Sequence, residues 1–181
     1  MDEHKDFFDD YSFVKLDHAN GSWNSFESDW RQQCDDLDED FESYAGETFS
    51  VLNPLANNGN KLAGVFALVK NQKHLAVCQV NTTLLPKYDG PVMRVRFITM
   101  SPEYDLRDIP GHDYGEVLVS LLYQVVQLAY IDEILKSKHI KFHVRSPSDL
   151  SFFTAFSHGL KQEEVFHSVQ MSGSWLYITR K

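Results

Sequence analysis

One segment near the end of the chain carries three side chains that can hold or transfer protons. His139, Lys141 and His143 alternate with apolar residues, so they share one face of a predicted β-strand. Imidazole and amine groups can act as general bases in acyl transfer, where an ammonium group must lose a proton before it attacks. A polar strand face with partly buried histidines explains the same pattern without catalysis. The sequence leaves both interpretations open.

A second candidate site lies where a predicted strand meets a long apolar helix. Pro110 and Gly111 favour a turn, and Gly115 permits close approach of the backbone where the helix is expected to start. Free N–H groups and the helix dipole at such a position can bind phosphate. Asp113 and Glu116 weaken this prediction, because their carboxylates can interact with the same dipole. The turn either binds an anion or only joins two elements.

Composition limits the classes of function. The chain has 181 residues, 43% of them hydrophobic, and a formal net charge of −9, which suits a single domain spanning residues 1–181. An acidic surface repels nucleic acid and anionic membranes, so neither is an expected partner. Cys34 and Cys78 lie far apart in apolar segments, so neither a disulfide nor a metal site is predicted. The acidic start of the sequence and the lack of an apolar run approaching 18 residues favour a cytoplasmic location.

Hydrophobic periodicity predicts an α+β fold. The strands are expected over Tyr11–Leu16, Leu62–Val69, Leu75–Thr82, Val92–Met100, His139–Val144, Val165–Gln170 and Trp175–Thr179. Helices are expected over Ser25–Ala45, Glu116–Ser137 and Asp149–Ser157. Short connections among the second, third and fourth strands indicate antiparallel neighbours. We therefore expect a mixed, mostly antiparallel, twisted sheet of about 6–7 strands with helices on both faces.

The predicted strand Val92–Met100 contains a break in its alternation. Arg94 and Arg96 lie on one face, but Phe97 and Ile98 are both apolar. A change of parity inside a strand is typical of a β-bulge, which separates the strand from its neighbour. Two buried faces at the end of the strand would give the same pattern, so this alternative also stays open.

The order of elements resembles the GNAT superfamily of acyl-CoA-dependent N-acyltransferases over nearly the whole chain. The segment Phe97–Tyr104 is similar to the family's fourth strand and to the V-x-P-E-Y sequence that often ends it. The resemblance implies that the backbone of this strand pairs with the pantetheine arm of acetyl-CoA or CoA. Thr99 and Met100 would then lie beside the thioester.

The resemblance also assigns the pyrophosphate loop to the segment 112–117. Only Gly115 matches the family pattern, since His112 replaces the usual Gln or Arg and Val117 is larger than the usual Gly or Ala. The implied cofactor-binding residues are Thr99, Met100, His112, Asp113, Tyr114, Gly115, Glu116 and Ser148. The hydroxyls of Tyr104 and Tyr114 lie near this loop in the sequence, although packing would also explain these residues. Ser146 and Ser148 could donate hydrogen bonds to a cofactor, although helix capping would also explain them.

The catalytic residues of the family are not found at their usual positions. A later family signature aligns with Val144–Leu160, but Ser148 stands where Asn is usual. Ala155 occupies the position of the tyrosine that often protonates the CoA thiolate. Arg94 and Arg96 occur in the strand that often carries a glutamate base. The catalytic residues are therefore unknown from the sequence.

Two functions remain in view. The resemblance implies an N-acetyltransferase that transfers an acyl group from acyl-CoA to a small-molecule or peptide amine. The acidic face of the first predicted helix, with Asp35, Asp36, Asp38 and Asp40, either attracts such a cation or is a solvated surface. The alternative is a catalytically inactive GNAT-like module that binds CoA or a protein partner. The resemblance also leaves a homodimer open.

Overall fold

The computed structural model describes residues 10–56 and 59–181. Within these residues the strands are β1 Ser12–Leu16, β2 Ala63–Lys70, β3 Lys73–Thr83, β4 Val92–Met100, β5 His139–His143, β6 Phe166–Ser172 and β7 Trp175–Arg180. The helices are α1 Ser22–Asp36, α2 Phe41–Ala56, α3 Pro102–Asp105, α4 Gly111–Ile131 and α5 Pro147–Leu160. The strands form one sheet in the order β1-β2-β3-β4-β5-β7-β6. Strands β4 and β5 are parallel and the other neighbours are antiparallel, which confirms the expected α+β sheet.

Helices cover both faces of the sheet. On one face, α4 and α5 bury Val117, Leu121 and Phe153 together with inward residues of β3–β7. On the other face, α1 and α2 bury an aromatic cluster that includes Trp30 and Phe49 against β2 and β3. Burying each large apolar side chain contributes about 1.5–3 kcal/mol, so these two layers fix the positions of the strands.

The single helix predicted over residues 25–45 is wrong, because the chain breaks between α1 and α2. Asp38 has φ of 56°, a left-handed conformation that ends a helix. The carboxylate of Asp40 then accepts a hydrogen bond from the Ser43 N–H at 2.7 Å and caps α2. The apolar spacing of three and four residues continues across the break, so periodicity alone gave no sign of it. Gly46 does not stop α2, which continues to Ala56.

We expect Asp38→Gly to stabilise the protein. Glycine adopts a positive φ without steric cost, so the free energy of unfolding should rise by about 0.5–1 kcal/mol. Urea unfolding followed by circular dichroism would measure it. Gln32→Gly, at an exposed position inside α1, is the matched control and should lower stability by about 0.5–1 kcal/mol. A loss of stability in both variants would contradict the backbone strain assigned to Asp38.

Helix α4 has different ends from those expected. It begins at Gly111 rather than Glu116 and ends at Ile131 rather than Ser137. The Asp132 carboxylate accepts the N–H groups of Ile134 and Leu135 at 2.8 and 2.7 Å, which turns the chain out of the helix. By length and composition α4 is apolar enough to cross a membrane, contrary to the sequence interpretation. Its apolar residues pack against the sheet. A helix buried in the core of a protein can have the same length and apolar composition as a membrane-spanning helix.

Candidate functional site

Strands β4 and β5 separate towards their C-terminal ends. They pair only from Val92 with His139 to Val95 with Phe142, although β4 continues to Met100. In the β3–β4 ladder Val77 pairs with Thr99 and Gln79 pairs with Arg96, so two residues of β4 lie opposite Cys78 alone. These residues are Phe97, with φ of 54°, and Ile98. The predicted β-bulge is confirmed, and it accompanies the opening beside β4.

A cleft of about 460 Å³ opens beyond the ends of these two strands. Its walls come from α3 and the turn after it, the first turn of α4, and the start of α5. The residues around it are Tyr104, Asp105, Arg107, Ile109, Gly111, Tyr114, Ser146, Ser148 and Phe152. A β-carbon added at Gly111 would meet nothing within 4 Å. The backbone at the start of α4 is therefore open to a ligand.

A hydrogen bond joins α4 to α5 at the cleft. The Tyr114 hydroxyl donates to Asp149 Oδ1 at 2.7 Å. Ser146 caps α5, because its Oγ accepts the Asp149 N–H at 3.0 Å. Burial, together with the hydrogen bond to Asp149, raises the pKa of Tyr114 far above its ordinary value. The phenol is therefore protonated at neutral pH and serves as a hydrogen-bond donor.

The charge around the cleft is mainly negative. Loss of hydration and the negative charge of Asp149 raise the pKa of Asp105. Arg107 is the only Lys or Arg among the described residues around the cleft, and its guanidinium lies 3.3 Å from the Glu103 carboxylate. An anion entering the cleft therefore depends mainly on backbone N–H groups rather than on cationic side chains.

Tyr44 of α2 reaches the end of β4. Its hydroxyl donates to the Met100 carbonyl at 2.7 Å and lies 3.3 Å from Asp105 Oδ2. Burial and the nearby Asp105 charge raise the pKa of Tyr44 far above its ordinary value. The sequence placed Tyr44 only in an apolar helix stripe. No local signal connected it with β4, from which it is 56 positions distant.

The residues predicted for cofactor binding do not all lie at the cleft. Tyr114 and Ser148 border the cleft. Thr99 and Met100 lie on β4, where Thr99 Oγ1 is 3.4 Å from Thr48 Oγ1 and Met100 is buried. His112 lies in the first turn of α4 with its ring nitrogen 2.8 Å from Asp113, and both side chains are exposed.

Gly115 and Glu116 are not among the described residues around the cleft. Gly115 is buried in α4, and a β-carbon there would lie 3.1 Å from Phe152 Cε2. The expectation that the helix starts at Gly115 is wrong, because α4 begins four residues earlier, at Gly111. Glu116 accepts a hydrogen bond from Tyr11 and lies 3.3 Å from Lys70 Nζ. It ties α4 to β2 and to the residue before β1.

The alternating proton-transfer candidates share a face of β5, as predicted. His139 contacts Asp89 at 2.7 Å and Thr179 at 3.0 Å through its two ring nitrogens. Lys141 and His143 instead lie beside Tyr177 and Trp175 of β7. These side chains point to the face of the sheet opposite the buried Phe142.

Solved structures share this arrangement along almost the whole chain, whereas no protein-family model and no curated protein sequence matches it. A probable acetyltransferase from Staphylococcus epidermidis is 12% identical, with a TM-score of 0.51 over 93% of this chain and 95% of that one. An N-acetyltransferase from Staphylococcus aureus Mu50 is 11% identical, with a TM-score of 0.50 over 93% and 97%.

A mutant form of the toxin AtaT, bound to the C-terminus of the antitoxin AtaR, is 16% identical with a TM-score of 0.50 over 94% of each chain. At these sequence identities the likeness establishes the fold alone. The activity has to be argued from the residues of the site. The seven-stranded, mostly antiparallel sheet agrees with this likeness. The chain has the fold of the GNAT superfamily of N-acyltransferases.

Proposed function

We propose that this chain is an acyl-CoA-dependent N-acyltransferase whose cosubstrate binds in the cleft beyond β4 and β5. The observation that carries the proposal is the separation of these strands after Val95, directly beside the N-terminus of α4. A volume of about 460 Å³ lies in the range of small-molecule sites. The likeness of the fold to structures described as acetyltransferases supports the same activity.

The cleft offers backbone donors for the pyrophosphate of CoA. The first N–H groups of a helix lack intrahelical partners. The Asp113 N–H bonds to the Pro110 carbonyl at 2.9 Å, which leaves the N–H groups of Gly111 and His112 as the proposed donors to the pyrophosphate. The acidic neighbours Asp105 and Asp149 oppose this anion, so we expect weak binding.

CoA, when bound, supplies an acyl group as a reactive thioester. Tyr44 is the proposed hydrogen-bond donor to the leaving thiolate, because its Oη lies at the Met100 carbonyl and holds its proton at neutral pH. It would serve in place of the hydroxyl that Ala155 lacks. Tyr114 is a positioning residue, because its bond to Asp149 fixes the cleft walls. We further propose a small-molecule or peptide amine as acceptor, a cytoplasmic location and a single domain over 1–181.

Calorimetry with CoA tests the proposed cleft. We expect measurable binding at millimolar concentration, and Gly111→Val should weaken it at least tenfold, or about 1.4 kcal/mol. A valine side chain would cover the open backbone, whereas Asp113→Asn should strengthen binding because it removes a negative charge near the anion. Gly159→Val is the matched control, since Gly159 lies outside the cleft with nothing within 4 Å of its β-carbon position.

Two outcomes would contradict the proposal. Unchanged CoA affinity in Gly111→Val would place the cosubstrate elsewhere. A lack of binding by the parent at millimolar CoA would favour the second candidate, a GNAT-like module that binds a protein partner. That candidate is supported by Ala155 and by the acidic surroundings of the cleft.

Tyr44→Phe should keep CoA affinity and reduce turnover of any acceptor that is found.

A further inference from the structure

One half of a sheet face lies outside the described helices. Helices α1 and α2 pack on β1–β3, whereas the same face of β4, β5, β7 and β6 carries mostly polar, partly exposed side chains. Register places Arg94 beside Lys141, and Lys141 beside Tyr177. We call this surface the basic face, and it comprises Arg94, Arg96, Lys141, His143 and Arg145.

The positive charges of the basic face have few partners. No described carboxylate forms an ion pair with Arg94, Arg96 or Lys141, and the buried Nε atoms of both arginines have no hydrogen-bond partner. Arg96 donates one hydrogen bond, to Gln79 at 2.9 Å. The only described carboxylate that forms an ion pair with the group is Glu47 of α2, which lies 3.9 Å from Arg145. In a chain of net charge −9, this concentration of cations is an unbalanced local charge.

Burial and mutual repulsion both lower the pKa values of groups in the basic face. Burial and the charge of Arg94 lower the pKa of Lys141, and burial and Arg94 likewise lower the pKa of Arg96. Burial, Arg145 and Arg96 lower the pKa of His143. A bound anion would remove this repulsion and satisfy the guanidinium donors.

Aromatic rings border the same surface. The Lys141 ammonium lies 4.7 Å from the centre of the Trp175 ring and 4.9 Å from that of Tyr177. The His143 and Trp175 rings are 4.5 Å apart. Because these aromatic side chains are partly exposed, a planar group attached to the anion could stack beside the cations.

We propose that the basic face is a binding site for the phosphate group of a small organic phosphate. The cations lie on neighbouring strands, whose backbones are about 4.8 Å apart. This spacing suits one compact anion. The net negative charge of the chain opposes a long polyanion such as RNA. This site is separate from the proposed CoA cleft, and its test does not depend on CoA. If the proposed acyltransferase activity holds, the acceptor amine would carry this phosphate.

Tryptophan fluorescence can report binding at this face. The chain has three tryptophans, of which Trp23 and Trp30 are buried and Trp175 is partly exposed. Titration with phenyl phosphate should give a saturable change, and inorganic phosphate should bind several-fold more weakly because it has no ring. The double variant Arg94→Gln/Arg96→Gln should weaken both at least tenfold. Arg31→Gln is the control, since Arg31 lies on α1 with Glu27 and Glu42.

The protonation of His143 gives a second readout that needs only the parent protein. The groups facing it are Arg96 of β4, Trp175 of β7, and Arg145, with Glu47 of α2 next to Arg145. An NMR titration should show that the pKa of His143 rises when phenyl phosphate is bound.

Several results would overturn the proposal. One is that neither the fluorescence nor the pKa of His143 changes at saturating phenyl phosphate. Another is that the double variant binds phenyl phosphate with the same affinity as the parent. Tighter binding of an RNA oligonucleotide than of phenyl phosphate would assign the face to nucleic acid. A dimer that the double variant dissociates would assign it to a second copy of the chain.

Discussion

Replacing Leu121 with Asp is expected to unfold the protein or leave it barely stable. Leu121 is 1% exposed and lies on the face of α4 that packs against the sheet. The variant loses the packing of a buried leucine and places a carboxylate where no described cation is available to pair with it. We expect the free energy of unfolding to fall by more than about 4 kcal/mol, a large part of the stability of an ordinary domain. Urea unfolding at neutral pH measures this loss.

Two further variants separate charge from packing in that experiment. Leu121→Ala should lose about 2–5 kcal/mol, because it leaves a cavity without a buried charge. Ile131→Asp is the surface control, since Ile131 ends the same helix and is 73% exposed. Its cost should stay below about 1 kcal/mol. Equal losses in Leu121→Asp and Ile131→Asp would mean that α4 does not contribute its apolar face to the core.

Gly115→Val is expected to lower stability by about 1–3 kcal/mol. Glycine at this buried position allows α4 to approach α5, because a β-carbon would lie 3.1 Å from the Phe152 ring. The two methyl groups of valine need still more room. Thermal unfolding measures the change, and it should appear without any ligand. The effect therefore differs from that of Gly111→Val, which should change CoA affinity and leave stability nearly unchanged.

A double-mutant cycle tests the cause of the Gly115 effect. Phe152→Ala removes the ring that the valine would meet, although it also loses the stacking of Phe152 on Phe156, 5.8 Å apart. The loss caused by Gly115→Val should therefore be smaller in the Phe152→Ala background than in the parent. Additive losses would show that Phe152 is not the obstacle, and the close approach of α4 to α5 would then need another explanation.

Local sequence patterns were sufficient to predict most strands. The alternation of apolar and polar residues in β5 predicted its two faces, because side chains of a strand alternate regardless of which strands become neighbours. The loss of alternation at Phe97 and Ile98 was compatible with a bulge or with two buried faces, and the register between β3 and β4 decides in favour of the bulge. Short connections predicted the antiparallel order of β2, β3 and β4, since few residues permit no other path.

Helix boundaries depended on interactions that periodicity does not encode. The apolar stripe runs without interruption from α1 into α2, yet the backbone turns at Asp38. Asp40 then caps α2 through one hydrogen bond. Likewise, the turn at Pro110 and Gly111 led to the expectation that the helix begins only at Gly115. Its actual place inside α4 follows from the start of that helix at Gly111.

The sequence by itself determined the fold class and the order of the strands along the chain, because these follow from interactions between residues close in sequence. Only the tertiary structure decided which glycine faces the cleft, since that depends on the packing of Phe152 against α4. It also decided that Tyr44 reaches Met100 and that Arg94 lies beside Lys141. These contacts join residues far apart in sequence, so the pairing of strands and the packing of helices had to bring them together.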